Sequence, residues 1–223
     1  MKVVVQCAGK KAKNAGSFLL KDGRKVLFVA APEAGSPPEN SVYARPDDMA
    51  EASDETWRKK LVAYNKTEAD KNPLGFLPAY KLYANPAYGD LVDRFGRDKV
   101  FILSAGWGLI PAGFLTPTYD ITFSASAASL NRRKSQDHYR DFCLMENNGE
   151  EIVFLGGKSY LPLFYALTEK MPGQRIVFFN SIRPPAQPLP NVKMIRFETS
   201  ARTNWHYACA HDFAKGKLTT WAM

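Results

Sequence analysis

The stretch Lys99–Ser124, KVFILSAGWGLIPAGFLTPTYDITFS, decides the fold. Val100–Leu103 is a short, continuously apolar run with β-branched and aromatic residues, the pattern of a strand buried on both faces of a parallel sheet. It stops at Ser104-Ala105-Gly106, and a glycine-punctuated aromatic loop leads to Pro117-Thr118-Tyr119-Asp120. Open α/β sheets place ligand sites beyond the carboxyl ends of their strands. The loop is therefore the first place to look for chemistry, and Asp120 is its only ionisable acid.

Similar apolar runs lie outward on both sides. Val3–Gln6, Val26–Ala30, Ile152–Leu155, Ile176–Phe179 and Val192–Phe197 read as further strands. Helices are expected at Asp54–Tyr64 with Ser53 as N-cap, at Tyr88–Phe95 ending on Gly96, at Ala128–Met145 as a basic helix, from about Tyr160 to Lys170, and at Arg202–Phe213. Strands alternating with helices predict an α/β fold, a mainly parallel sheet flanked by helices. The 223 residues suit a single domain, with residues of about 31–80 as an inserted helical and loop segment.

Composition narrows the class. Apolar residues make up 45% of the chain, enough for a core, and no run spans a bilayer. The start lacks the pattern of a secretory signal. Three widely spaced cysteines, Cys7, Cys143 and Cys209, argue against a disulfide framework and for a reducing cytoplasm. The net charge of +8 favours an anionic partner, nucleic acid first. The charge is clustered at Lys10, Lys11, Lys13, Lys21, Arg24 and Lys25, at Arg132, Arg133, Lys134 and Arg140, and at Arg202, Lys215 and Lys217.

Several constellations sit at predicted strand ends. In Cys7-Ala8-Gly9-Lys10-Lys11, small residues let backbone N–H groups approach an anion and the lysines add charge; solvated surface lysines are the plain alternative. Gly156-Gly157-Lys158-Ser159 opens a helix and is either an anion site or a tight turn. The spacing of a P-loop is absent from Cys7–Lys11. Tyr83, in Leu82-Tyr83-Ala84-Asn85-Pro86, offers a stacking face or a core ring. Arg202-Thr203-Asn204-Trp205-His206 combines cation, amide, stacking plane and proton carrier. A metal site is not expected, because His206 and Cys209 have no evident third ligand. Asp47-Asp48 competes with Asp120 as an acidic centre, and a helix start is its plain reading.

The motif Leu103–Leu109 followed by Pro117–Asp120 resembles the YaaA-like superfamily, in which a strand ends in an LSA/G-x-aromatic-G-L/V loop and a P-Y-D/R element follows. Here Thr118 intrudes between Pro117 and Tyr119. Cys7–Lys11, Leu82-Tyr83 with Pro86, Ile152–Tyr160 and Ser200–Tyr207 fall in the order of that family's other elements, so the resemblance covers the chain apart from about residues 20–80. It implies an α/β fold and DNA binding, with links to protection from oxidative damage and to modified-nucleobase metabolism.

These features together point to an enzyme acting on bases in double-stranded DNA, a glycosylase that flips and excises a modified or damaged base in repair or antiviral defence. Asp120 is the catalytic carboxylate, stabilising an oxocarbenium-like sugar. Tyr119, Trp107 or Tyr83 packs on the base. Lys10, Lys11 and Lys158 hold phosphates, and Arg202, Asn204 and His206 read the base edge or a flanking phosphate. Ser104 and Trp205 complete the expected substrate contacts. No metal or organic cofactor is required. The alternatives are a non-enzymatic DNA-binding stress protein, and a transferase or nucleotide hydrolase using Gly156–Ser159.

Overall fold

The computed structural model describes residues 1–50, 53–134, 136–201 and 203–220. The strands are β1 Lys2–Gln6, β2 Lys25–Val29, β3 Ser41–Ala44, β4 Leu77–Pro78, β5 Val100–Ser104, β6 Gly108–Pro111, β7 Leu115–Thr116, β8 Tyr119–Asp120, β9 Phe142–Cys143, β10 Ile152–Leu155, β11 Arg175–Phe179 and β12 Val192–Arg196. The helices are α1 Trp57–Thr67, α2 Ala79–Leu82, α3 Ala87–Phe95, α4 Leu161–Thr168 and α5 Trp205–Ala214.

Seven strands form one mixed, mostly parallel sheet in the order β12-β11-β10-β1-β5-β6-β9. The run from β12 to β5 is parallel, β6 returns antiparallel to β5, and β9 lies parallel to β6. The continuous apolar runs are its centre. Every residue of β5, β10 and β11 is buried, as expected of strands covered on both faces. Phe154 of β10 stacks on Phe164 of α4 with centroids 4.5 Å apart, whereas Phe178 of β11 meets Phe213 of α5 at 5.8 Å. Phe154 pairs in register with Val177, one residue before Phe178, so the two rings point to opposite faces. Helix α4 therefore covers one face and α5 the other. Helix α3 joins α5 through the stacked pair Phe95 and Phe213, and ends at Gly96, whose φ of 83° suits glycine.

The chain reverses direction across this sheet. From β1 it reaches β5 on one side, and β10 then pairs on the other side of β1 and leads outward to β11 and β12. The carboxyl ends of β1 and β10 flank this switch point, where such sheets leave a crevice.

Between β1 and β5 the chain builds a second layer. β2 pairs with β3 and β8 in a parallel three-stranded sheet, and β4 pairs with β7. Its core is aromatic. Phe18 packs on Phe76 at 5.0 Å and on Trp57 at 5.2 Å, and Phe28 meets Trp107 at 5.0 Å.

Three expectations need correction. Val26–Ala30 does form a strand, but in the small sheet, because its partners Ser41–Ala44 and Tyr119–Asp120 come from connecting segments. Helix α1 begins at Trp57 with Thr56 accepting from the Lys59 amide at 3.3 Å, not after Ser53, whose hydroxyl closes a turn with Glu55. The basic helix at Ala128–Met145 does not exist among the described residues; turns and the short β9 occupy the segment. Tertiary contacts override helix propensity there: Arg133 turns inward to Asp141, and Phe142 and Leu144 donate their amides to the carbonyls of Trp107 and Leu109.

Candidate functional site

The loop after β5 is sealed. Ser104, Ala105, Trp107 and Leu109 have no exposed surface. Ser104 Oγ accepts from the amides of Gly106 at 3.2 Å and Trp107 at 3.1 Å. The three carbonyls that follow are taken by arginines. Arg133 Nη1 donates to Ala105 O at 2.8 Å, Arg58 Nη2 to Gly106 O at 2.9 Å and Arg58 Nη1 to Trp107 O at 2.9 Å. Each arginine is ion-paired, Arg58 with Asp47 at 2.7 Å and Arg133 with Asp141 at 2.6 Å. The loop's peptide groups are spent on the protein itself. Arg133 thereby leaves the basic surface cluster, and Asp47 is a structural partner; its neighbour Asp48 accepts from the Arg45 amide at 2.7 Å.

Beside the loop lies a buried hydroxyl cluster. Ser104 Oγ donates to Tyr119 OH at 2.8 Å, and Tyr119 OH is 2.8 Å from Tyr83 OH. Either phenol can be the donor in the Tyr83–Tyr119 bond. Cys7 Sγ is 3.2 Å from Tyr160 OH. Burial pushes the phenols of Tyr83, Tyr119 and Tyr160 well above their ordinary range, so they are neutral donors. Lys11 Nζ lies 4.3 Å over the Tyr119 ring, with its pKa lowered by burial against the smaller pull of Cys7 and Asp120.

The open space is one step away, at the switch point. A cavity of about 640 Å³ is lined by the carboxyl ends of β1, β10 and β11, by Thr122 and Ser124, and by Thr203–Tyr207 at the start of α5. Gln6 crosses its floor. Gln6 Oε1 accepts the Gly157 amide at 2.6 Å, and Gln6 Nε2 lies 3.0 Å from His206 Nε2. One side chain thus ties β1, the β10 turn and α5 together. Burial alone depresses His206 to about 4, so the ring is neutral at pH 7.

The expected site residues divide into three groups. Lys158, Asn204, Trp205 and His206 line the cavity. Tyr83, Ser104, Tyr119 and Trp107 are buried. Base stacking has no open ring face at these positions: Tyr83 faces Tyr88 at 5.1 Å, Trp107 faces Phe28 at 5.0 Å, and Tyr119 lies under Lys11. Lys10, Lys11 and Asp120 are outside the cavity lining, although Gly9, Thr122 and Ser124 belong to it. Asp120 is exposed and its carboxylate accepts from Asn131 Nδ2. Arg202 lies outside the described residues. Gln6 was not expected; its signal was a polar residue closing the apolar run of a central strand.

Among the described residues, no group of three or more His, Cys, Asp or Glu side chains is placed to hold a metal ion. No described helix is long and apolar enough to cross a membrane. No family model matches the chain, and neither a curated protein nor a solved structure matches it.

Proposed function

We propose that this chain is a YaaA-like DNA-binding enzyme of the cytoplasm that takes one nucleotide of double-stranded DNA into the switch-point cavity and excises a modified or damaged base. The observation that carries this reading is the cavity itself: about 640 Å³, with a Gln6–His206 pair on its floor and Phe179, Trp205 and Tyr207 in its walls. That volume falls in the range of small-ligand sites, roughly 300–1,000 Å³. The net charge of +8 supports a polyanionic substrate. Exposed Cys143 and buried Cys7 and Cys209 are all free thiols, in keeping with a reducing compartment.

In the reaction, the bond from the sugar C1′ to the base nitrogen breaks and a water oxygen bonds to C1′. The base leaves with a proton. Asp120 is the carboxylate assigned to this step: it is exposed and stands two residues before Thr122, which lines the cavity. It stabilises the oxocarbenium-like sugar and receives the proton of the attacking water, which it returns to solvent, while the departing base takes its proton from solvent.

The test is incubation with duplexes carrying damaged or hypermodified bases, followed by alkali cleavage at abasic sites. Asp120→Asn should lower base release by about 100-fold or more. A second reading, a DNA-binding stress protein without chemistry, is favoured by one observation: no Asp or Glu is among the described cavity-lining residues. Duplex binding that falls steeply with salt, with no abasic product from any substrate, selects that reading.

A further inference from the structure

Ile182 is a large apolar side chain that the fold leaves almost bare. It is 87% exposed, against 57% for Met49 and 51% for Leu19, the next in order among the described residues. A single exposed apolar residue is ordinary on a protein surface. The place of this one is not. Phe179, Asn180 and Ser181, which lead into it from the end of β11, line the switch-point cavity, and so does Pro185 beyond it. Ile182 therefore stands at the rim of the cavity, between residues that form its wall.

The loop also fixes it there. Ser181 Oγ donates to the carbonyl oxygen of Arg183 at 2.6 Å, closing a turn around Ile182. Pro184 and Pro185 follow at once; each locks its own φ, and the first keeps Arg183 extended. At the base of the loop Asn180 Nδ2 donates to Ala201 O at 3.2 Å, which ties it to the segment entering α5. The turn, the prolines and this tether restrict the ways in which Ile182 could fold back onto the protein.

A nucleotide drawn out of a duplex leaves a gap in the base stack, and the nucleotide falls back unless the gap is filled. Proteins that open base steps fill them with apolar side chains, Ile among them. We infer that Ile182 is the wedge that enters the duplex when a nucleotide enters the cavity, with the exposed Arg183 beside it available to a flanking phosphate. Water leaves the Ile182 side chain only when bases close over it, so its burial favours the opened duplex over the closed one. Such a wedge rests on the duplex and the flipped nucleotide of the proposed function, but not on the cleavage of a bond.

The test measures binding of the full chain to two duplexes of one sequence, one fully paired and one with a tetrahydrofuran abasic analogue at its centre. The second already holds a gap, so nothing has to be extruded and no modified base need be known. The chain should bind the gapped duplex at least about tenfold more tightly than the paired one. Ile182→Ala should reduce that preference to about twofold or less, and Ile182→Leu, which keeps an apolar wedge, should restore it. Because the side chain is exposed, both variants should keep the urea midpoint of the unaltered chain. Equal affinity of the unaltered chain for the two duplexes, a preference that survives in Ile182→Ala, or a loss of affinity on both duplexes alike overturns the inference. Base release together with any of these three results leaves excision standing without the wedge. A gap preference that Ile182→Ala abolishes, with no abasic product from any substrate, upholds the wedge and defeats excision.

Discussion

Arg58 donates through Nη1 to the carbonyl oxygen of Trp107 at 2.9 Å, joining the inserted layer to the loop that ends β5. Nη2 binds the next carbonyl back, Gly106 O, and Nε pairs with Asp47 at 2.7 Å. The side chain is 4% exposed, so its charge and its partners are desolvated together. Removing one member of such a buried set leaves the rest unpaired.

Arg58→Met should therefore lower unfolding free energy by about 3–5 kcal/mol, measured in urea. Loss of less than about 1 kcal/mol would show that water or a side-chain shift replaces the guanidinium.

Gly108 makes a second prediction about the same loop. Its φ is 94°, and a Cβ there would lie 2.4 Å from the Phe142 carbonyl oxygen and 2.5 Å from its nitrogen. These are the backbone atoms through which β9 joins β6, so they cannot move aside without breaking the pairing. Gly108→Ala should cost about 2 kcal/mol or more. Gly9→Ala, with nothing within 4 Å of the added atom, should change stability by less than about 1 kcal/mol. Equal thermal midpoints for the two variants would contradict the close approach.

The sheet was legible because its central strands are buried on both faces, and continuous apolar runs such as Val100–Leu103 have few other uses. The small sheet was not, since β8 is only Tyr119–Asp120 and its pairing with β2 spans about ninety residues of chain. Arg133 was read as surface charge, because a basic cluster in sequence does not reveal which member turns inward to a carboxylate. Site residues at the helix starts, Lys158, Asn204 and His206, were found from residue type and from strand-to-helix punctuation. Gln6 was missed as a functional residue because its role depends on Gly157 and His206, both far away in sequence. The opening loop drew attention for its glycines and aromatics, yet those features serve close packing against Phe28 and Phe142.

His206 gives a pH dependence. Its pKa is about 4 in the folded chain, against 6.5 for the free side chain. Between these values the unfolded chain binds the proton and the folded chain does not, so stability rises with pH in that window. The contribution is fully present above pH 6.5 and is lost as pH falls towards 4. Its size is on the order of 3 kcal/mol. A protonated Nε2 would also oppose the Gln6 amide and force it off Gly157. In His206→Phe the part of the acid slope between pH 6.5 and 4 should flatten, as read from urea midpoints at successive pH values. An unchanged slope would mean that another group carries the acid lability.

Lys10 and Arg133 separate surface charge from buried charge. Lys10 is exposed beside Gly9 at the cavity edge, whereas the Arg133 side chain is 6% exposed and ion-paired with Asp141. If the chain binds DNA as proposed, Lys10 releases a counterion from a phosphate on binding and Arg133 does not. Lys10→Met should weaken duplex binding about equally for all sequences and reduce the slope of log affinity against log salt by about 1. Arg133→Met should leave that slope unchanged in the fraction that remains folded, while lowering the urea midpoint by removing the bonds to Asp141 and Ala105 O. Fluorescence anisotropy at several salt concentrations reads the first effect and denaturation the second. A salt slope that drops for Arg133→Met and not for Lys10→Met would reverse the assignment of which basic residues meet DNA.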